Sequence, residues 1–159
     1  MQEIVVQTLE ELGNFAKQFV EKHPQGAVVA LSGELGAGKT TFVRFVVEVI
    51  AIKQRSPVPR VTSPSFVLHQ AYPALCPPVE HFDLYRLESV GREALIEMGY
   101  FEALDRNRKS SGFLFVEWPE KVLHITLLQA SIQLTLAIHS KGRTLTSRIL
   151  KAKPLGVVG

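Results

Sequence analysis

A single cysteine, Cys76, stands in the 159 residues, so no internal disulfide can brace the fold and no thiol pair can hold a metal. It lies between Leu75 and Pro77 and reads as an inert free thiol. No apolar run reaches the roughly 18 residues that a bilayer span requires. The opening segment, Met-Gln-Glu-Ile-Val-Val-Gln, lacks the basic flank and long apolar core of an export signal. Together these absences predict a cytoplasmic protein with no membrane partner. Repeats and low-complexity tracts are missing as well. Acid is missing from two stretches: between Glu48 and Glu80 the charged residues are Lys53, Arg55 and Arg60, and after Glu120 only basic residues occur. Such stretches either meet an anionic partner or form a solvated basic surface.

What is present is globular. Hydrophobic residues make up 46% and charged residues 21%, with a net charge of +3, and the length suits one domain that buries a core without a structural metal. We expect a single nucleotide-binding domain over residues 1–150 and a basic tail over 151–159. Residues 4–7 read as a strand. Thr8 and Glu11 have the spacing of a capping box, and Leu9, Leu12, Phe15, Ala16, Phe19 and Val20 recur with helical period up to Pro24 and Gly26. Residues 27–32 form an apolar run that suits a strand buried on both faces. A helix from Lys39 to about Ala51 follows.

Three prolines and three basic residues make 53–65 an irregular connection. Residues 66–70 and 79–84 look like strands around a proline-rich excursion at 73–78, and 95–104 like a helix broken at Gly99. Residues 113–116 form an apolar strand ending at Glu117. Lys141-Gly142 marks a hairpin within 134–148. This order predicts an α/β fold, a three-layer P-loop NTPase-like architecture whose central sheet is mixed and partly antiparallel.

Between the apolar strand and the following helix lies Gly33-Glu34-Leu35-Gly36-Ala37-Gly38-Lys39-Thr40, a complete phosphate-binding loop in its required context. Backbone amides can all turn inward only where side chains do not intervene, which is what Gly33, Gly36 and Gly38 permit. The helix beginning at Lys39 adds its positive end. Lys39 is placed to reach the β- and γ-phosphates, Thr40 to ligate magnesium and Thr41 to meet the α-phosphate. Glu34, Leu35 and Ala37 complete the cradle.

Such a loop needs an acid at the end of a neighbouring strand. Asp83 and Glu117 are the two candidates, against the plainer reading that either pairs with an arginine such as Arg86. Trp118 is either core or a neighbour of the nucleotide. Thr62, Ser63 and Ser65, between the loop helix and the next strand, offer hydroxyls for a segment that senses the γ-phosphate, or form a solvated turn. His81 alone reads as a hydrogen-bonded strand residue. No Asn-Lys-x-Asp signature is present, since Arg108 and Lys109 follow Asn107, which favours ATP over GTP.

The combination resembles the TsaE (YjeE) family of bacterial ATPases. Four blocks carry the likeness: the loop with Thr41-Phe42, Thr62-Ser63-Pro64-Ser65-Phe66, His81-Phe82-Asp83-Leu84-Tyr85-Arg86, and Val116-Glu117-Trp118-Pro119. It runs over residues 5–148 and includes Gly142-Arg143. The resemblance implies Lys39 and Thr40 on phosphate and Mg2+, a switch-like segment at 62–66, Asp83 and Glu117 as functional acids that also serve the metal, and Trp118 beside ATP. It further implies work with TsaD and TsaB in making threonylcarbamoyladenosine in tRNA, with tRNA met only indirectly. Glu34 and Ser65 stand where aspartate and threonine are frequent, each keeping the functional group. Beside this reading stand a small-molecule kinase, with Arg55 and Arg60 as a lid, and a nucleotide-gated binding module.

Overall fold

A computed structural model describes residues 2–140 and 142–149. The tail at 151–159 and Lys141 of the hairpin turn lie outside the described residues. Seven strands form one sheet: β1 (Gln2–Val6), β2 (Ala27–Ser32), β3 (His69–Tyr72), β4 (Val79–Asp83), β5 (Phe113–Glu117), β6 (Ile132–His139) and β7 (Gly142–Ile149). Their spatial order is β1-β7-β6-β2-β5-β4-β3. The four central strands run parallel, while β1, β7 and β3 join antiparallel. The mixed sheet expected from the sequence is therefore present.

The central strands read as unbroken apolar runs because both faces are covered. Val29 and Leu31 of β2, with Phe113 and Phe115 of β5, pack under α1 (Leu9–Lys22) and α2 (Lys39–Lys53). Val28, Leu114 and Val116 point the other way, onto the side of α3 (Arg92–Glu97) and α4 (Tyr100–Ser110). Phe42 of α2 is fully buried and its ring lies 5.6 Å from Phe15, 5.4 Å from Phe19 and 6.0 Å from Phe115. This cluster pins the helix that starts the site to both α1 and the sheet; truncating such a ring costs about 3–5 kcal/mol.

Local chemistry sets the boundaries. Thr8 Oγ1 accepts from Glu11 N, and the Glu11 carboxylate accepts from Gln7 N, so Gln7 is taken into the helix cap and β1 closes at Val6 rather than at residue 7. The helix expected over 95–104 divides at Gly99, whose φ of 75° caps α4. The strand expected from residue 66 begins only at His69. Leu68 N donates to Pro64 O and Leu68 adopts φ 65°, a tight turn that leaves Phe66 and Val67 79% and 70% exposed. No helix among the described residues is long and apolar enough to cross a membrane.

Candidate nucleotide site

The ends of β2, β5 and β4 define where the site lies. All three strands run parallel, and their register sets Leu31 beside Glu117 and Glu117 beside Asp83. The two candidate acids thus emerge at the carboxyl edge of the sheet, next to the loop that leaves β2. In open parallel sheets this edge is where ligands bind. Both acids are almost fully buried, at 3% and 2% exposure.

The loop itself turns through φ values of 146° at Gly33, 79° at Gly36 and 106° at Gly38, a region that residues with a side chain rarely adopt. A Cβ at Gly33 would stand 2.4 Å from the Leu136 carbonyl of β6, whereas at Gly36 it would project into open space. Gly38 begins α2 without a side chain to cap it, so the first-turn amides of the helix stay available as donors.

Lys39 is 4% exposed and bends back over the loop, donating from Nζ to Gly33 O at 2.6 Å and to Glu34 O at 3.0 Å. Its ammonium lies 4.1 Å from the centre of the Trp118 ring. Burial pulls its pKa below the ordinary value, while the charges of Glu117, Glu120, Asp83 and Glu34 oppose that shift. A desolvated cation resting on backbone carbonyls gains by exchanging them for anionic oxygens.

Thr40 Oγ1 donates to Glu117 Oε1 at 2.7 Å, and His81 Nε2 meets the same oxygen at 2.8 Å. Asp83 accepts from Tyr85 N at 2.9 Å on one oxygen and from Ser63 Oγ at 2.5 Å on the other. One carboxylate is therefore tied to the phosphate loop and the other to the segment at 62–66. Trp118 adopts φ 61°, a strained conformation for a bulky residue, and its ring lies 5.1 Å from that of Tyr85.

A cleft of about 300 Å³ joins these groups; Leu35, Gly36, Gly38, Lys39, Thr40 and Thr41 form its floor. Ser63, Asp83, Glu117 and Trp118 close one side. Glu34 contributes its carbonyl to Lys39, and Ala37 is buried in the loop. Thr62 is exposed and is not among the cleft residues. Arg86 stays out too, its guanidinium 3.7 Å from the centre of the Phe66 ring. Leu9, Leu12 and Arg143 complete the opposite wall, with Arg143 Nη2 3.5 Å from Gly36 O. Nothing in the local pattern of 9–12 or 143 points to the cleft; the packing of α1 on α2 brings Leu9 and Leu12 there, and the order β7-β6-β2 brings Arg143.

Among the described residues no three His, Cys, Asp or Glu cluster as a complete metal cage. One hydroxyl bonded to one carboxylate, facing an anion cradle, instead fits magnesium that arrives with phosphate, because this ion keeps waters and takes few protein ligands.

A glycine nest after a buried central strand, an enclosed lysine, and acids on the two adjacent parallel strands define a P-loop NTPase-like protein. The family model described as threonylcarbamoyl adenosine biosynthesis protein TsaE matches residues 6–148, and the chain belongs to this family. The tRNA threonylcarbamoyladenosine biosynthesis protein TsaE of Rickettsia typhi is 33% identical over 138 residues, covering 87% of this chain and 88% of its own. That of Synechocystis is 30% identical, covering 76% of this chain and 71% of its own. The crystal structure of Bacillus subtilis YdiB superposes with a TM-score of 0.63 at 22% identity, covering 94% of this chain and 86% of that one, a likeness of fold.

Proposed function

We propose that this protein is a magnesium-dependent ATPase that serves the formation of threonylcarbamoyladenosine in tRNA, acting on a complex of TsaD and TsaB homologues. The observation that carries the reading is the Thr40–Glu117 hydrogen bond beneath the glycine nest. A threonine that gives its proton to a carboxylate directs its lone pairs elsewhere, as a hydroxyl ligand of a cation must.

In this reading the loop amides and Lys39 hold the phosphates, Thr40 and Glu117 hold the metal with Asp83 close by, and Trp118 flanks the nucleotide. Magnesium, when bound, supplies positive charge that offsets the charge developing on the phosphate oxygens. Asp83 and Glu117 are the candidates to orient the attacking water. Asp83 also reports on the segment at 62–66 through Ser63, so a partner that moves the segment moves an acid of the site. That link suits hydrolysis that is slow alone and stimulated by a partner. tRNA is met through the partner complex.

A lid of Arg55 and Arg60 finds no support. Arg55 follows the far end of α2, about 22 Å from the loop at 1.5 Å per residue, and neither arginine lines the cleft.

The test is release of inorganic phosphate from ATP and from GTP, with and without TsaB and TsaD from the same source. We expect ATP to be favoured and turnover to rise with the partners. Equal use of both nucleotides, or no response to the partners, removes the corresponding part of the proposal.

A further inference from the structure

His81 is the one histidine among the described residues with no exposed surface. On β4 it stands opposite Phe115, so it is the diagonal neighbour of Glu117 on the face that α2 covers. Its Nε2 lies 2.8 Å from Glu117 Oε1, the oxygen that also accepts from Thr40 at 2.7 Å. An anionic oxygen does not tolerate a nitrogen lone pair at that distance, so the ring proton sits on Nε2. Nδ1 is buried with no hydrogen-bond partner, which a bare lone pair tolerates better than an N–H. A ring placed only to fill space would be better served by an apolar side chain, since one of these nitrogens is left unsatisfied.

Both lone pairs of Glu117 Oε1 are thereby used, one by Thr40 and one by His81. Rotation of the carboxylate would break both bonds together. We propose that His81 is a positioning residue of the nucleotide site: by donating Nε2–H to Glu117 it holds the carboxylate in the orientation that takes the Thr40 proton, and so sets how tightly magnesium is held with ATP. The inference rests on the reading of the cleft as a Mg-ATP site. Partners of metal-binding carboxylates and hydroxyls typically alter metal affinity by 10–100-fold.

The experiment measures ATP binding by calorimetry with magnesium and again with a chelator, together with the magnesium concentration that half-saturates binding and turnover. It compares the full-length protein with His81→Phe and His81→Gln. His81→Phe should raise the half-saturating magnesium on the order of tenfold while leaving chelator-state ATP binding within about twofold. His81→Gln, which places an amide N–H near the same point, should recover most of the loss. An unchanged magnesium requirement in His81→Phe overturns the proposal. So does an equal loss of binding with and without magnesium, which marks a structural role. If wild-type protein shows no magnesium-dependent binding, the reading of the cleft itself fails. Where His81→Phe does not fold, 15N-histidine spectra of the wild type decide. Protonation at Nε2, protected from exchange, supports the proposal, and a ring whose Nε2 carries no proton overturns it.

Discussion

β4 carries two acid–histidine pairs that differ in one respect. On the face toward α4, Glu80 meets His69 Nε2 at 2.6 Å and receives a two-pronged guanidinium from Arg106, Nε and Nη2 each at 3.0 Å. Toward α2, Glu117 of the next strand meets His81 and Thr40. Among the described residues no lysine or arginine stands within ion-pair distance of it; of the two cations that line the cleft, Lys39 donates to loop carbonyls and Arg143 lies against Gly36 O. Glu80 is thus a completed cluster, its charge matched by protein. Glu117 is more deeply buried and oriented by two donors, and the Lys39 charge acts on it without a direct ion pair. Burying a carboxylate without a paired cation is costly, and the proposed reading of the cleft has magnesium answer that cost.

This contrast is open to test. The largest effect is expected from Lys39→Ala, which should lower ATP turnover on the order of 10²–10³-fold in a phosphate-release assay; unchanged turnover would remove the site. Next, Glu117→Gln should lower turnover on the order of 100-fold and keep the melting temperature within about 2 °C, because the amide oxygen can still accept from Thr40 and His81 and no direct ion pair is lost. Glu80→Gln should do the reverse, leaving turnover within about twofold while destabilising the protein by about 1 kcal/mol. If both glutamines gave the same pattern, the distinction between the two pairs would collapse.

Arg106→Met should cost about 1–2 kcal/mol in urea unfolding, between the values for surface and buried pairs, since its side chain is 57% exposed while that of Glu80 is 9% exposed.

The smallest effect concerns pH. Burial raises the Glu80 pKa, but hydrogen bonds from His69 and Arg106 and the charges of both outweigh it and hold the group below its ordinary 4.5. Its stabilising contribution is therefore present above the unfolded-state value and lost as pH falls through the lower folded one. Without Arg106 two of the lowering influences are gone, so the stability gap between wild type and Arg106→Met should narrow as pH drops below about 4. A constant gap from pH 7 to 3 would show that the ion cluster is not the cause.

The phosphate loop, the capping box at Thr8, the break at Gly99 and the mixed sheet were legible because each depends on neighbours in sequence. Asp83 and Glu117 were legible as strand-end acids, and the register confirms their adjacency. The start of β3 was not, because the turn at Leu68 hangs on one bond to Pro64. Of the three hydroxyls read in 62–66, Ser63 reaches Asp83 and lines the cleft with Ser65, while Thr62 faces solvent. Arg86 sits in the same block as Asp83, yet Phe66 takes its guanidinium. Arg143, Leu9 and Leu12 enter the cleft only once strand order and the packing of α1 on α2 are known. His81 shows the limit most clearly. As a strand residue it was anticipated, but its bond to Glu117, thirty-six positions away, exists only through the pairing of β4 with β5.

β4 spells Val79-Glu80-His81-Phe82-Asp83, and its odd and even positions answer to different masters. A one-residue slip of its register against β5 would carry Glu80 toward α2 and His81 toward α4, scrambling both clusters at once. The spacing between Glu80 and His81 and their register are therefore fixed together. The turn before it, at 73–78, is under no such rule. Divergence in length among relatives is therefore expected to accumulate in that turn, with the parity of β4 kept.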